Sequence, residues 1–271
     1  MNTENRTSGG GELPEHVLEN RGYWDAMADE WVESGERNWA QDKPTWGIWN
    51  VSEEELRLLP AKMDGMDAVE LGCGTAYVSA WMARRGARVV GIDNSAEQLA
   101  TARRLASEHG VSLELIHGSA EETGFASASF DFAISEYGAA IWCDPYRWVA
   151  EAHRILRPGG SLVFLGHHPL VMACTPESGE ADDRTLHRSW FDMHMLDWRG
   201  AEIDPGGVEF NLPTSAWFRL FNGVGFDVVG YDEPRPPEQV DGERFSIAAD
   251  WARAWPSEQV WKLRKRTVET A

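Results

Sequence analysis

The sequence predicts an α/β fold built on a doubly wound, mostly parallel sheet. Three observations carry that expectation. Short apolar, β-rich runs alternate with helix-like stretches between residues 67 and 165. The first run is joined to the first helix by a glycine loop, VELGCGTAYVSAW at 69–81. An acid, Asp93, closes the second run. Strands alternating with helices give a parallel sheet covered on both faces, and right-handed crossovers make it doubly wound. Ligands of such sheets gather at the carboxyl ends of the strands, near the switch point.

The elements follow in order. Residues 1–12 are polar and glycine-rich, which reads as a disordered tail. Residues 13–60 read as a helical cap in two or three pieces. Tyr23, Met27 and Trp31 recur at helical spacing, Ser52 and Glu55 form a capping box, and Pro60 closes the segment. The α/β domain then occupies 61–271. Strands are expected at 67–71, 87–92, 112–117, 130–135 and 161–165. Helices are expected at 76–85, at 95–109 (capped by Ser95 and stopped by Gly110) and at 145–156, before Pro158-Gly159-Gly160. An insertion after strand five, 167–212, should hold a helix at 183–196. Helix 214–222, strand 226–231, a proline-rich loop at 233–237, a tryptophan-rich helix near 248–255 and a last strand at 259–265 complete the chain.

With 42% apolar residues among 271, the chain can bury a core. A formal net charge of −19 repels phosphate backbones and anionic membranes, so neither is expected as a partner. Lys262, Arg264, Lys265 and Arg266 alternate as on the exposed face of a strand, which explains them without a binding patch. The three cysteines, Cys73, Cys143 and Cys174, are odd in number and lack CxxC spacing, which suggests free thiols in a reducing compartment. The N-terminus lacks the basic and apolar regions of a signal peptide, and there is no apolar run of membrane-spanning length. The expected location is the cytoplasm.

The glycine loop discriminates among ligands. A dinucleotide fingerprint counted from Gly72 requires a glycine where Tyr77 stands, and no GK[ST] follows for a Walker loop. Asp93 suits two ribose hydroxyls. Glu70, two residues before the glycines, would repel a pyrophosphate but suits an ammonium. These demands fit a nucleoside bearing a cationic amino-acid tail.

VELGCGTA resembles motif I of the class I S-adenosylmethionine-dependent methyltransferases. The resemblance continues through VVGIDNSAEQLATAR, HGSAEETGFASASFDFAISEYGAAIW and EAHRILRPGGSLVFL, over about residues 66–166, and is greatest for the small-molecule, type 11-like subgroup. It implies a Rossmann-like, seven-stranded sheet whose last strand is antiparallel. It also implies S-adenosylmethionine as cofactor and a small-molecule methyl acceptor, with no metal required. Carried over by motif, Glu70 faces the methionine amino group; Gly72, Cys73 and Gly74 pass beneath the methionine moiety; Asp93 holds the ribose; and Asn94 lies against adenine. Ser119, Ala120 and Glu121 match the adenine-contacting stretch, and Ser135 offers its backbone. Two departures stand out. Many members carry glycine where this chain has Ala76, and aspartate where it has Ser119. Ala76 should be tolerated if its dihedrals are ordinary helical ones.

Methyl transfer needs alignment and desolvation, and sometimes a base. Candidates for the base are His167 and His168 after strand five, Glu136 after strand four, and His194 in the insertion. His187 and His194 would share a helical face. A histidine metal cluster from 167, 168 and 194 with Asp192 has no supporting spacing. In the methyltransferases that this chain resembles, an N-terminal aromatic helix closes over cofactor and substrate, which implies that Tyr23 reaches the cofactor. Trp46 and Trp49 in PTWGIW, with Tyr137 and Trp142, are candidates to line the acceptor pocket. Other readings are a non-catalytic cofactor-binding module and, against Tyr77 and Glu70, a nicotinamide-dependent oxidoreductase. Oligomeric state and acceptor identity stay open.

Overall fold

The computed structural model describes residues 12–203 and 205–267; the expected tail, but for Glu12, lies outside them. Seven strands form the central sheet: β1 Asp67–Leu71, β2 Arg88–Asp93, β3 Glu114–His117, β4 Phe130–Glu136, β5 Leu156–His167, β6 Phe226–Asp232 and β7 Glu258–Lys265. Their order is β6-β7-β5-β4-β1-β2-β3. Strands β1 to β5 pair in parallel, and β7 runs antiparallel between β5 and β6. The chain winds outward from β1 to β3 and then returns to lay β4 on the other side of β1. The crevice therefore opens between the carboxyl ends of β1 and β4.

The helices are α1 Glu15–Met27, α2 Val32–Trp39, α3 Glu53–Leu56, α4 Tyr77–Arg84, α5 Ala96–Glu108, α6 Ala139–Trp142, α7 Pro145–Ile155, α8 Pro169–Cys174, α9 Thr214–Val224 and α10 Ala249–Ala254, with a 3-10 turn at Ala28–Trp31. Ser52 accepts from Glu55 N as a capping box requires, yet α3 is a single turn because Arg57 turns left-handed behind it.

Period-two alternation along β4 feeds two cores. Phe132 and Ile134 join Trp46, Trp49, Val78, Trp81 and Leu165 on one face. Ala133 joins Val69, Leu71, Trp148, Phe164, Trp217, Phe221 and Trp261 on the other. The N-terminal segment thus supplies core to the sheet.

The expected helix at 183–196 is not formed. Local side-chain bonds and distant carbonyls capture this stretch instead. Asp183 Oδ1 accepts from Thr185 N, His187 N donates to Ala173 O, and Arg188 donates to the carbonyls of Met172 and Thr175 while lying over the Trp198 ring. The insertion's regular elements are α8 and an antiparallel strand pair, Met195–Asp197 with Val208–Phe210. Strand β5 begins at Leu156 rather than 161, taking Pro158-Gly159-Gly160 into the strand.

The basic residues near the C-terminus have partners within the chain. Lys262 meets Leu56 O and Asp232, and Arg264 meets Gly159 O. Lys265 meets the His153 and Leu156 carbonyls, and Arg266 meets Asp227 and Asn222.

Candidate active site

The loop between β1 and α4 departs from ordinary backbone at three positions: Gly72 (φ 74°), Gly74 (φ 50°) and Ala76 (φ 61°, ψ 30°). Glycine is obligatory at 72 for a second reason. A Cβ there would lie 2.5 Å from Ala139 N, because the loop packs backbone to backbone against Gly138 at the end of β4. At 74 an added Cβ would meet open space, its nearest neighbour being Gln98 Oε1 at 3.9 Å. Ala76 lies in the left-handed region, so the expectation of helical dihedrals is wrong. It is fully buried, and its N–H donates to Cys73 O at 2.7 Å. The preceding carbonyl, Thr75 O, is pinned by Trp39 Nε1 at 2.7 Å, so α2 clamps the loop from outside.

Two acids frame this loop. Glu70 is 2% exposed, and its Oε2 accepts from Ser79 N (2.7 Å) and Ser79 Oγ (2.6 Å). It thereby caps α4, which has no side-chain cap of its own. Burial raises its carboxyl to about pKa 8, against the two Ser79 bonds and with help from the negative Glu136 and Asp93. Asp93 accepts from Gly74 N (2.7 Å) and Ser95 N (2.8 Å). Burial raises it too, and those N–H groups oppose the rise.

Helix α1 lies across the end of β2. Val17, Arg21 and Asp25, four apart and so on one face, meet Asn94 and Ser95. Asn94 is therefore fastened to α1 through both ends of its amide. On another face of α1, buried Asn20 makes three bonds to the Trp142 carbonyl and the Val208 backbone, and Tyr23 packs against Trp142 and Trp24. Ser119, Ala120 and Glu121 are buried. Glu121 is not a free nucleoside contact: its carboxylate meets His16 (2.6 Å), Asp144 N (2.7 Å) and Arg147 (2.8 Å), tying α1 to α7. Ser119 Oγ accepts from Glu121 N, and Ser135 Oγ joins Leu71 O to Ala140 N. Cys73 is buried, which pushes its thiol well up and makes it a turn residue rather than a nucleophile.

A second group of acids gathers at the carboxyl ends of β4 and β5 and the start of β7. Tyr77 OH donates to Glu136 Oε2, and Gly47 N donates to Glu136 Oε1 at 2.9 Å. Tyr137 OH (2.8 Å) and Ile48 N (2.9 Å) both donate to Glu258 Oε1. Gly47 (φ 68°) admits no side chain, since a Cβ would fall 2.1 Å from Glu258 Oε1. Tyr137 holds a left-handed backbone (φ 53°), and its ring sits edge-on to His167 at 4.9 Å. Burial raises Glu136, takes Glu258 to about 8 and lowers His167 to about 4.

Of the sequence candidates, Glu136, Tyr137 and His167 come together here and the others do not. His168 caps α8 through Leu170 N and faces Glu233. His194 pairs with Asp144 and packs on Phe210, and His187 pairs with Asp183. Asp192 bonds Ser189, and among the described residues no His, Cys, Asp and Glu side chains gather as a metal site. Trp46 and Trp49 do not line a pocket: both are fully buried in the core, with their indole N–H groups on Glu53 and Ser257. The backbone between them, Gly47 and Ile48, reaches the acids instead. Sequence reasoning missed Tyr77, Gly47 and Glu258. Glu258 opens a strand, EQVWKLRK, in which polar and apolar residues are mixed, so the local pattern carried no signal for it.

Comparison with known proteins decides the family. Residues 69–164 match the model described as "Methyltransferase domain". The chain is 30% identical over 171 residues to a ubiquinone biosynthesis O-methyltransferase of Cereibacter sphaeroides, covering 58% of this chain and 69% of the relative. The namesake enzyme of Ruegeria pomeroyi is 33% identical over 166 residues, at 56% and 67% coverage. The chain belongs to the class I S-adenosylmethionine-dependent methyltransferases. Among solved structures, an S-adenosylmethionine-dependent methyltransferase of Mesorhizobium loti shares the methyltransferase fold with a TM-score of 0.63 at 24% identity, covering 78% of this chain and 95% of that one. The residues of this methyltransferase fit the cofactor: open space beside the Gly74 backbone, a buried acid, Asp93, bonded to it, and Glu70 with no cation of the protein paired to it among the described residues.

Proposed function

We propose that this methyltransferase acts on a small-molecule acceptor bound at the Glu136–Tyr137–His167–Glu258 cluster. The observation that carries the reading is Tyr77, whose chain position opens α4 directly behind the glycine loop and whose hydroxyl bonds Glu136. It joins the cofactor loop to the second group of acids. Glu70 would receive the methionine ammonium, Asp93 the ribose, and the backbone at 72–74 the methionine moiety. The bound cofactor supplies an electrophilic methyl group on a sulfonium. The chain's own residues align the acceptor, exclude water and take up its proton. His167 is the best-placed base among the histidines: burial keeps its imidazole neutral at pH 7, and its Nδ1 is buried without a partner. Residues 13–60 act as a cap, and 167–212 cover the acceptor side. Three unpaired cysteines and an acidic surface support a cytoplasmic enzyme with no nucleic-acid partner; no helix among the described residues is long and apolar enough to cross a membrane.

The test is calorimetric binding of S-adenosylhomocysteine, followed by transfer of labelled methyl to a metabolite panel. His167→Ala should retain S-adenosylhomocysteine affinity within about twofold and lose most turnover. A loss of S-adenosylhomocysteine affinity instead would place His167 on the cofactor side and sink its assignment.

A further inference from the structure

Glu258 and His167 are direct cross-strand partners in the β5–β7 register, so their side chains leave the same face of the sheet. Each carries a buried polar atom without a partner among the described residues, Glu258 Oε2 and His167 Nδ1. Glu258 is fully buried. Its other oxygen is held by Tyr137 OH and Ile48 N, which fixes the carboxyl plane, while Oε2 beside Gly47 is left without a donor. A buried carboxyl oxygen left bare costs on the order of 1–3 kcal/mol, which the protein tolerates most readily where a ligand supplies the missing donor.

The sign of the ligand's charge follows from what surrounds this oxygen. Glu136 acts on it from β4, Tyr137 bonds the sister oxygen from the loop after β4, His167 is its register partner on β5, and Tyr77 reaches Glu136 from α4. None of these brings a positive charge, since His167 is neutral at pH 7. The cation that Glu258 feels is Arg244, whose guanidinium is committed to Ile48 O and the face of Trp49. Among the described residues Glu136 and Glu258 have no ion-pair partner. An anionic acceptor would find no cation to pair with and would hold the buried carboxyls in their protonated forms. A neutral hydroxyl would leave Glu258 with its proton. An ammonium favours the ionised carboxylate, to which it donates at Oε2, and aromatic rings beside it add attraction.

We propose that the cluster recognises a protonated amine on the methyl acceptor, with Glu258 Oε2 as its direct contact and Glu136 as the second carboxylate of the clamp. This rests on the reading of the cluster as the acceptor site. Once bound, the ammonium passes its first proton to Glu258, leaving His167 as the base for the proton that the methylated nitrogen sheds. The N–H bond breaks, its electron pair stays on nitrogen as the lone pair that methylation requires, and an O–H bond forms on Oε2. Because the carboxyl of the ligand-free protein holds its proton to about pH 8, entry of a cation at pH 7 displaces that proton to solvent.

Protein saturated with S-adenosylhomocysteine is titrated calorimetrically at pH 7 with benzylamine and benzyl alcohol, and with propylamine and propanol, in phosphate and in Tris. Each amine should bind at least tenfold more tightly than its alcohol. Its heat should differ between the buffers in the sense of proton release. Glu258→Gln should bring amine and alcohol within about twofold and abolish the buffer difference. Equal binding of alcohol and amine, amine binding without proton release, or no binding of either class would each overturn amine recognition. The buffer comparison uses wild-type protein and stands even if the variant misfolds. Failure of S-adenosylhomocysteine itself to bind would overturn the underlying site instead.

Discussion

The two halves of the site solve the same problem in different ways. On the cofactor side, the two acids framing the glycine loop are satisfied by groups within twenty residues of the chain: Glu70 by Ser79, and Asp93 by Ser95 and Gly74. On the acceptor side, partners come from far away: Tyr77 and Gly47 for Glu136, Ile48 and Tyr137 for Glu258. A local device tolerates change elsewhere in the chain. A device assembled from four distant segments can be rebuilt for each acceptor while the sheet and loop stay put.

That difference also set what could be read in advance. The strand–glycine–helix unit, the acid at the end of β2 and the antiparallel last strand were legible because they are local patterns or carried by a local motif. The acceptor cluster was half legible. Glu136, Tyr137 and His167 follow the carboxyl ends of strands, where ligands of such sheets bind. Glu258 and Gly47 enter only through tertiary packing. Trp46 and Trp49 drew notice as aromatic side chains, but their indoles fill the core and the backbone between them faces the site. The helix expected at 183–196 failed for the same reason: distant carbonyls of α8 and the segment after it outcompeted intrahelical bonding.

The largest expected effect breaks the cofactor half alone. Asp93→Ala removes a carboxylate proposed to hold two ribose hydroxyls and shown to hold the Gly74 and Ser95 N–H groups. At about 1.5–3 kcal/mol for each of two hydrogen bonds to a charged group, S-adenosylhomocysteine affinity should fall by about a hundredfold or more. Calorimetry reads this directly, and unchanged affinity would remove Asp93 from the site.

The next effect separates the halves by pH. Folded Glu70 and Glu258 keep their protons to about pH 8, whereas an unfolded glutamate ionises near 4.3. The folded protein therefore binds more protons in this range, and stability is lost as pH rises through the folded pKa. His167 and His168, lowered to about 4, act in the opposite sense only below about 6.5, so pH 6.5–8 is free of them, while Glu209, raised by burial to about 7, adds a share of the same sign that every variant keeps. Across it each of the two glutamates should cost roughly 1–2 kcal/mol, seen as a falling urea midpoint. Glu258→Gln should flatten the slope by one glutamate's share. Saturating S-adenosylhomocysteine should remove the share of Glu70 and leave that of Glu258. A slope unaffected by both would mean that neither acid titrates as its burial implies.

A smaller effect tests the division between core and site. Trp46→Phe keeps an aromatic ring against Trp81 but removes the N–H donor to Glu53 Oε2. Stability should drop by about 2 kcal/mol, with KM for the acceptor unchanged. A several-fold rise in KM at unchanged stability would return the indole to the pocket.

The smallest effect concerns Ala76, the residue whose backbone departs from expectation. A left-handed alanine costs about 1–2 kcal/mol relative to the right-handed region, and glycine is free of that cost. Ala76→Gly also removes a buried methyl, worth about 0.8 kcal/mol, and adds unfolded-state entropy of about the same size. The terms nearly cancel, so the urea midpoint should move by less than about 1 kcal/mol equivalent. What holds the strain in place is the clamp on the preceding carbonyl from Trp39 Nε1. Trp39→Phe should therefore loosen the loop and weaken S-adenosylhomocysteine binding several-fold. Combined with Ala76→Gly, the loss should be smaller, because a glycine at 76 needs no clamp to stay left-handed. Additive losses in the double variant would show that the loop's shape is set elsewhere.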